Sequence, residues 1–508
     1  ATLVVTLGVL ASALVPYSRI GTEFMPELDE GDLLYMPSAY PAASTGKMAE
    51  LLGQTNRLIM QVPEVETAHA KAGRADSATD PAPLTMIETT IQLKPRSEWR
   101  AGMTMDKLIA ELDALVQIPS LTNTWIMPIK NRIDMLATGI KTPVGVKVSG
   151  PDLEVINRVG GEIERVLDQM SGTASVYADR VTAGRYVTID VLREQAARFG
   201  LNIEDVHEIV GSAIGGMNVG ESVEGRERYP INVRYPRDLR ESLSELRSLS
   251  VVTPAGPQIP LSAVAEISVE TGPGVIRTED ARLNGWIYVD VSSDDLGGYV
   301  ERAQRAVREQ VDLPPGYSIG WSGQYEYMQR AAERLGIVVP AALAIIVVLL
   351  FLNFRNFVSV AIILGTLPFA LVGSYWFLYL LGYNMSVAVG AGLIALAGVA
   401  VEIGVLMILY LDQSLAALRE RLRGRAPTID ELRDAVTDGA LLRVRPILMT
   451  VATIVLGLLP IMLGSGTGAN IMQRIAAPMI GGMVSAMVLG LVVIPAVYYL
   501  WKRRTIAG

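Results

Sequence analysis

The chain has 508 residues, of which 50% are apolar, 6% are aromatic and none is cysteine. Its formal net charge of −8 argues against nucleic acid as a partner, because binding phosphates requires a basic face. The lack of cysteine in the sequence excludes disulfides, thiolate metal sites and iron–sulfur ligation. Most charged residues precede position 335 and long uncharged stretches follow, which excludes a purely soluble enzyme and a disordered chain.

Six segments are apolar enough to lie in a membrane. The first is short, and we interpret residues 1–20 as the end of a transmembrane helix. A signal peptide is the alternative, although no basic segment precedes the apolar run. Five longer segments between 336 and 501 each have the length needed to cross a bilayer of about 30 Å. They are Gly336–Leu352, Phe357–Leu381, Met385–Leu411, Pro446–Leu463 and Ile475–Trp501.

Basic residues are unevenly divided among the connections between these segments. The predicted loop 412–445 contains seven arginines, and the tail 502–508 begins with a lysine and two arginines. The opposite connections, 382–384 and 464–474, contain one basic residue between them, Arg474. Since loops rich in lysine and arginine face the cytoplasm, the sequence predicts a cytoplasmic loop and tail. The region 19–335 is then expected on the other side of the membrane.

This large region predicts an α+β fold. Runs of β-branched and alternating apolar residues indicate strands, and apolar residues at three- and four-residue spacing indicate helices. Helices and strands follow one another repeatedly, which favours small βαβ-type modules packed side by side. The predicted strands are Asp32–Met36, Met86–Leu93, Val144–Val148, Tyr186–Val191, Ile231–Arg234 and Trp286–Val291. The predicted helices are Ser44–Gln61, Met105–Val116, Leu153–Met170 and Leu296–Val311.

Five stretches give the sequence a specific resemblance. They are GTEFMPELDEGDLLYMP (21–37), MIETTIQLKP (86–95), NRIDMLATGIKTPVGVKVSG (131–150), VEGRERYPINVRYP (223–236) and RIAAPMIGGM (474–483). Together they resemble the C-terminal half of a heavy-metal-efflux RND pump, in particular of the copper/silver subgroup. The resemblance covers essentially the whole chain. The N-terminal half of such a pump has no counterpart in this sequence.

The resemblance implies an α-helical protein of the bacterial inner membrane with a large ferredoxin-like α+β domain in the periplasm. Its first porter subdomain would be 28–136, and its second would be 137–182 together with 268–330. Residues 183–267 would form a docking lobe, and 336–501 would form the last five transmembrane helices. The family also implies a homotrimer that is driven by protons and works with a periplasmic adaptor and an outer-membrane channel.

The residue types available restrict the chemistry of any metal site. With no cysteine and two histidines, a specific site must use thioether, carboxylate or amide groups, and thioethers suit Cu(I) and Ag(I). Composition alone does not select among 20 methionines, most of which are expected to be packing residues. The resemblance implies a three-sulfur site of Met36, at the end of a predicted strand, Met86, at the start of another, and Met135, in a predicted short helix.

Other residues are implied near this site or along an ion pathway. Glu88 follows Met86 by two residues and would share its face of a strand, although an ion-paired carboxylate is an equal alternative. Arg132 precedes Met135 by three residues and is expected to hold the helix or a carboxylate. Met472 and Met217 are candidates for a metal pathway. Met217 is the weaker candidate of the two. The corresponding methionine of the family lies one position later, where this chain has Asn218.

Glu402 is the one ionisable residue within the five apolar segments. Because a lone charge in hydrocarbon costs several kcal/mol, it must be protonated or paired, as a proton relay requires. The resemblance implies the same role, with Thr450 as a polar relay member. There is a departure: RVRP (443–446) is followed by Ile447, where the copper/silver subgroup has lysine.

Other functions were weighed against efflux of monovalent metal ions. A pump for organic compounds predicts an aromatic-rich pocket, and this chain is poor in aromatic residues. Efflux of other, divalent metals is a further alternative. An RND-like translocase for protein or lipid would lack the methionine trio. An enzyme is not expected, because the sequence has no P-loop, GxSxG or HExxH motif, and no cofactor is implied.

Overall fold

The computed structural model describes residues 2–26, 28–41, 43–73, 83–119, 121–292, 295–423, 425, 427–466 and 468–507, and side chains as far as Arg504. Residues 74–82 of the predicted first porter subdomain and Gly508 of the predicted tail therefore lie outside the described residues. Contacts divide the chain into two compact units. The first contains residues 1–179 and 279–508, and the second contains residues 180–278.

The first unit contains two antiparallel sheets with the same connectivity. In one, the spatial order is β3-β4-β1-β6; in the other, β7 lies between β16 and β17, and β8 pairs with β16. Each therefore follows a strand–helix–strand, strand–helix–strand order, with α3 and α4 or α6 and α10 as the helices. The strands are β1 (Leu33–Tyr35), β2 (Ser38–Ala39), β3 (Val65–Ala72), β4 (Ile87–Leu93), β5 (Leu121–Thr122), β6 (Trp125–Ile126), β7 (Val144–Gly150), β8 (Thr173–Ala178), β16 (Arg282–Val291) and β17 (Ser318–Gly323). The helices are α3 (Thr45–Ile59), α4 (Met105–Leu115), α5 (Pro128–Thr138), α6 (Leu153–Asp168) and α10 (Leu296–Gln310).

Helix α6 illustrates why the sequence folds in this way. Asp152 caps its first turn by accepting hydrogen bonds from the backbone N–H groups of Glu154 and Val155. Its buried residues recur at three- and four-residue spacing and form the face that covers the sheet. Burial of each large aliphatic side chain contributes about 1.5–3 kcal/mol. The buried residues of α6 are Ile156, Val159, Gly160, Ile163 and Leu167.

The second unit has its own apolar core. Strands β9 and β14 pair along their whole length, and β10 and β11 form a hairpin whose residues are almost all exposed. The core contains Leu201, Val206, Val251 and Leu261. The elements of this unit are β9 (Gly184–Val191), α7 (Arg193–Arg198), α8 (Ile203–Val210), β10 (Met217–Glu224), β11 (Glu227–Val233), α9 (Leu243–Ser248), β12 (Ser250–Val252), β13 (Gln258–Pro260) and β14 (Ala265–Gly272), and β15 (Arg277–Glu279) follows at its end.

Among the described residues, five helical segments are long and apolar enough to cross a membrane, in agreement with the sequence prediction. The second of these is interrupted at Gly365–Thr366, so that α12 and α13 replace one predicted helix. A shorter apolar stretch at the start of the chain forms α1 (Thr2–Ser12) and α2 (Leu14–Tyr17). The long segments are α11 (Gln324–Phe354), α12 (Phe357–Leu364), α13 (Leu367–Leu381), α14 (Val387–Arg421), α15 (Ile429–Leu463) and α16 (Ala469–Ala507).

The prediction of a loop over 412–445 was wrong for most of its length. Helix α14 continues to Arg421, and α15 begins at Ile429. Thr428 caps α15 in a capping box, in which its side chain accepts from the Glu431 N–H and the Glu431 carboxylate accepts from the Thr428 N–H. The apolar window recognised only the apolar part of each helix, whereas the polar extensions are equally helical.

Helices α13, α14 and α16 approach one another at glycines. A Cβ atom at Gly373 would lie 2.0 Å from the carbonyl oxygen of Gly481, and one at Gly481 would lie 2.4 Å from that of Gly373. On α14, a Cβ atom at Gly392 would lie 2.3 Å from the carbonyl oxygen of Ile475. No side chain fits at these positions, so the backbones pack directly against each other.

The segment that joins α2 to β1 lies between two parts of the first unit. The Glu23 N–H donates to the Met385 carbonyl and the Met385 N–H donates to the Gly21 carbonyl, each at 2.9 Å. On its other side, the Thr22 N–H donates to Asp295 Oδ1 at 2.8 Å, just before α10. This segment, residues 20–24, therefore connects the turn between α13 and α14 with the helix of a sheet module.

Candidate metal site

Three methionines from separate elements meet in one small apolar cluster. Met36 follows β1 and is fully buried, Met86 precedes β4 and is 6% exposed, and Met135 lies on α5 and is half-buried. Leu34 and Ile126 complete the cluster. We call Met36, Met86 and Met135 the methionine cluster.

Met36 and Met86 were predicted as the last and the first residue of two strands. Each lies one residue outside the strand that is observed, β1 or β4. Met36 does not continue β1, and its N–H donates to the carbonyl of Thr124 at 2.9 Å. Met86 forms an isolated bridge with Ser38 before β4 begins. Both side chains are therefore positioned at strand ends, where loops rather than a continuous ladder fix the backbone.

A buried asparagine contacts two of the three sulfurs. Asn131 lies one turn before Met135 on α5, and its Nδ2 donates to Met36 Sδ at 2.9 Å and to Met135 Sδ at 3.3 Å. Its Oδ1 is buried and has no hydrogen-bond partner among the described residues. Sequence reasoning did not select Asn131, because a single asparagine in a helix gives no local signal of such a contact.

Lys141 is a second residue that sequence reasoning missed. It is 3% exposed, and its Nζ donates to the Met36 carbonyl at 2.8 Å and to Ser38 Oγ at 2.6 Å. Burial lowers the pKa of Lys141 to about 8, although nearby carboxylates, including that of Glu88, oppose the shift. Its neighbours Ile140 and Thr142 are also buried, which the sequence alone does not show.

The predicted neighbours Glu88 and Arg132 have different positions. Glu88 forms an ion pair with Lys71 across β3 and β4, with Nζ and Oε2 2.9 Å apart, which is the alternative that the sequence left open. Arg132 was expected to hold the helix or a carboxylate. It is exposed, and it has no carboxylate partner among the described residues.

A cavity of about 70 Å³ lies beside the methionine cluster. Its lining includes Met127, Asn131 and Asp134 of the α5 region, together with Lys141 and Gln324. Burial raises the pKa of Asp134, and the neighbouring Lys130 and a hydrogen bond from Gln324 act in the opposite direction. The cavity therefore brings polar side chains close to the methionine cluster. Met127 also lines the cavity but does not belong to the methionine cluster.

The remaining candidates lie elsewhere. Glu402 is exposed on α14, with no hydrogen-bond or ion-pair partner within the described ranges. Thr450 is exposed on α15, and its Oγ1 donates to the Pro446 carbonyl at 3.1 Å. Met472 is exposed near the start of α16, and Met217 is exposed at the start of β10 in the second unit. The structure therefore brings together the methionine cluster, whereas within the described part of the chain it brings neither Glu402 nor Thr450 into contact with a partner that would define a relay.

The chemistry of the cluster is that of a soft, neutral donor set. Within the described ranges, no group of three histidine, cysteine or acidic side chains is arranged to hold a metal ion. Three thioethers in apolar surroundings suit a polarisable monovalent ion, whereas Zn²⁺ prefers thiolate, imidazole or carboxylate. The fold and this cluster together define a helical protein with five membrane-length spans and a strand-rich region that carries a candidate soft-metal site.

Comparison with known proteins agrees with this class. The AcrB/AcrD/AcrF family model matches residues 1–502, and the chain belongs to that family. It is 50% identical over 503 residues to the cation efflux system protein CusA of Escherichia coli (strain K12), covering 99% of this chain and 48% of CusA. It is also 50% identical over 504 residues to the putative cation efflux system protein SilA of Salmonella typhimurium, covering 99% of this chain and 48% of SilA.

A solved structure gives the same result for the fold. The chain is similar to the crystal structure of a heavy metal efflux pump, with a TM-score of 0.88 and 30% identity, over 99% of this chain and 50% of that chain. The chain therefore spans about half the length of the relatives it matches.

Proposed function

We propose that this chain is half of a proton-driven efflux pump for Cu(I) and Ag(I), with the methionine cluster as its metal site. The observation that carries the proposal is the convergence of Met36, Met86 and Met135 in one cluster, although about 50 residues separate the first two. The similarity to CusA and SilA, which are named for cation efflux, supports the transported class. Ordinary core packing would require methionines here no more than leucines.

The charge around the cluster favours a monovalent ion. Lys141 Nζ bonds to the backbone of Met36 itself, so its positive charge lies close to any ion held there. Repulsion scales with the charge of the ion and is twice as large for a divalent ion. A divalent ion also retains its water more strongly, and three thioethers replace that water poorly. The same charge pattern would disfavour Zn²⁺ and Co²⁺.

For energy coupling, we assign proton binding to Glu402, with Thr450 beside the same pathway. Glu402 lies well inside the apolar part of α14, and its side chain is exposed. A carboxylate facing hydrocarbon would be costly, so its face suits contact with the remaining half of the pump. Met472 and Met217 would serve as transient sulfur contacts for the ion.

For location and assembly, we propose a bacterial inner-membrane protein with its strand-rich region in the periplasm. The two sheet modules, with their shared connectivity, would be ferredoxin-like porter subdomains at 28–136 and at 137–182 with 268–330. A docking lobe at 183–267 is supported by the second compact unit, whose bounds, 180–278, include that range. The parts of helices α11–α16 between 336 and 501 would cross the membrane, with a cytoplasmic connection near 422–428 and a cytoplasmic tail from 502. A homotrimer with an adaptor and an outer-membrane channel completes the pump.

The test is a titration of the purified chain with Ag(I) in detergent, in competition with a chelator of known affinity. Met135→Ile keeps an apolar side chain of similar size and removes one donor, so it should weaken binding at least tenfold while the protein still folds. Met48→Ile is the matched control, since Met48 is fully buried on α3 in a different cluster. Equal affinity in the wild type and Met135→Ile would mean that the cluster is packing.

A further inference from the structure

We propose that Asn131 is a positioning residue that keeps the methionine cluster assembled when no ion is bound. The inference rests on the proposed function and extends it to a residue that is not itself a sulfur donor. It depends on three observations, namely the two amide–sulfur contacts, the unpaired oxygen of the same amide and the burial of Asn131, which is 5% exposed.

The geometry of the amide sets the spacing of two sulfurs. An asparagine NH₂ group has two hydrogens about 120° apart, so the single Nδ2 of Asn131 can donate one to Met36 Sδ and the other to Met135 Sδ. With N–S distances of 2.9 and 3.3 Å and about 120° between the two donor directions, the two sulfurs would lie roughly 5.4 Å apart. If the metal–sulfur bonds are about 2.3 Å long, as zinc–thiolate bonds are, one ion can bind both sulfurs only when they lie within about 4.6 Å of each other. Asn131 therefore keeps the two sulfurs within about 1 Å of the greatest separation at which one ion could bind both.

The contacts leave the sulfurs able to bind an ion. A thioether sulfur has two lone pairs, and a single N–H group uses one of them. The second lone pair of Met36 and of Met135 remains for coordination. Without the amide, each unbranched methionine side chain could rotate about three bonds, and that freedom would have to be lost when the ion binds.

The Oδ1 atom of Asn131 indicates that packing alone does not account for an asparagine at this position. Asn131 Oδ1 is buried and unpaired among the described residues, and a buried unpaired carbonyl costs free energy. Leucine has nearly the same volume and would join Leu34 and Ile126 without that cost. An amide at this position therefore carries a benefit other than stability, and its contacts with both sulfurs identify that benefit.

The experiment compares Ag(I) affinity and Cu(I) coordination in four forms of the full chain in detergent. Asn131→Leu should lower Ag(I) affinity about 10- to 100-fold, as loss of a group that orients ligands does, with an ion-free melting temperature at least equal to that of the wild type. Asn157→Leu is the matched control, because the buried Oδ1 of Asn157 on α6 is also unpaired among the described residues. It should leave affinity unchanged. Met135→Ile provides the reference for loss of a donor.

X-ray absorption of bound Cu(I) gives a readout that a purely structural role would not change. The wild type should show three sulfur donors, and Asn131→Leu should show fewer or longer Cu–S contacts. Asn131→Asp keeps the shape of the side chain and removes both N–H donors, so it serves if the leucine variant does not fold. Its sulfur count should also fall.

The results separate this inference from the proposed function. Wild-type affinity and three sulfurs in the Asn131 variants, with weakened binding in Met135→Ile, would overturn the role of Asn131 and leave the metal site intact. Unchanged binding in Met135→Ile would overturn the metal site itself.

Discussion

Glu23 Oε1 accepts a hydrogen bond from Arg474 Nε at 2.9 Å, and the two side chains are 14% and 17% exposed. Glu23 belongs to the segment that joins α2 to β1, whereas Arg474 lies in the second turn of α16, some 450 residues later. The Arg474 guanidinium also stacks over the Tyr383 ring, 4.6 Å from its centroid. The pair thus ties the segment 20–24 to the last membrane-length helix.

Glu23→Gln should lower the free energy of unfolding by about 2 kcal/mol, because the shielded guanidinium loses its charged partner. Thermal unfolding in detergent, followed by intrinsic fluorescence, measures the loss. Glu50→Gln is the control, since Glu50 pairs with Lys47 at an exposed position and should change stability little. Glu23→Arg and Arg474→Glu should each destabilise the protein, and the double variant should lose less stability than the two single variants added together. A loss equal to that sum would contradict a direct interaction.

Loss of the titratable group at Glu402 should abolish proton-dependent efflux of Ag(I) while binding to the methionine cluster stays within about twofold. Glu402→Gln in the full-length pump, reconstituted in vesicles with a pH gradient, is the measurement. Glu420→Gln on the same helix is the control, because Glu420 is exposed beyond the apolar part of α14. Sustained proton-driven efflux in Glu402→Gln would remove this residue from the coupling mechanism.

The orientation can be checked by labelling single cysteines in a chain that has none of its own. A cysteine at Gln413, exposed on the polar extension of α14, should react only with a reagent that reaches the cytoplasmic side. A cysteine at Ser244, exposed on α9, should react only from the periplasmic side. Labelling of both from one side would rule out the proposed topology.

A buried carboxylate predicts how stability depends on pH. Hydrogen bonds from the Arg100 side chain, chiefly, hold the pKa of Glu64 down at about 2, against the effect of its burial. Since the pKa is lower in the folded than in the unfolded protein, this stabilisation is present above about pH 4.5 and is lost as the pH falls towards 2.

Glu64→Gln should therefore cost about 2 kcal/mol at pH 7, and the difference from the wild type should shrink as the pH falls below 4.5. Denaturant unfolding between pH 3 and pH 7 measures it, and a difference independent of pH would exclude the ion pair as its source.

The sequence predicted regular elements well where periodicity is strong. The predicted helix Met105–Val116 is observed as Met105–Leu115, because its apolar spacing and the Thr104 cap act locally. The polar ends of α14 and α15 were missed, since a membrane-span criterion sees only apolar residues. The success at Met105–Val116 and the failure at the ends of α14 and α15 both follow from the use of local apolar patterns.

The site could not be found from local pattern alone. Met36, Met86 and Met135 come from three elements, so no spacing along the chain announces their convergence, and only the family resemblance selected them. Asn131 and Lys141 were missed because their importance depends on partners about 95 and 105 residues away. Such contacts are decided by the packing of whole elements.

The glycine contacts among α13, α14 and α16 have a mechanical consequence. Where backbone meets backbone, as at Gly373 and Gly481, there is no side chain that can change rotamer to absorb a displacement. The three helices should therefore shift as a single stiff body rather than slide past one another. Arg474 lies on α16, one of these three helices, and its side chain is hydrogen-bonded to Glu23. A tilt of the three helices would therefore displace the segment 20–24. A displacement of the three helices would thereby be passed through the segment 20–24 to Asp295, at the start of α10.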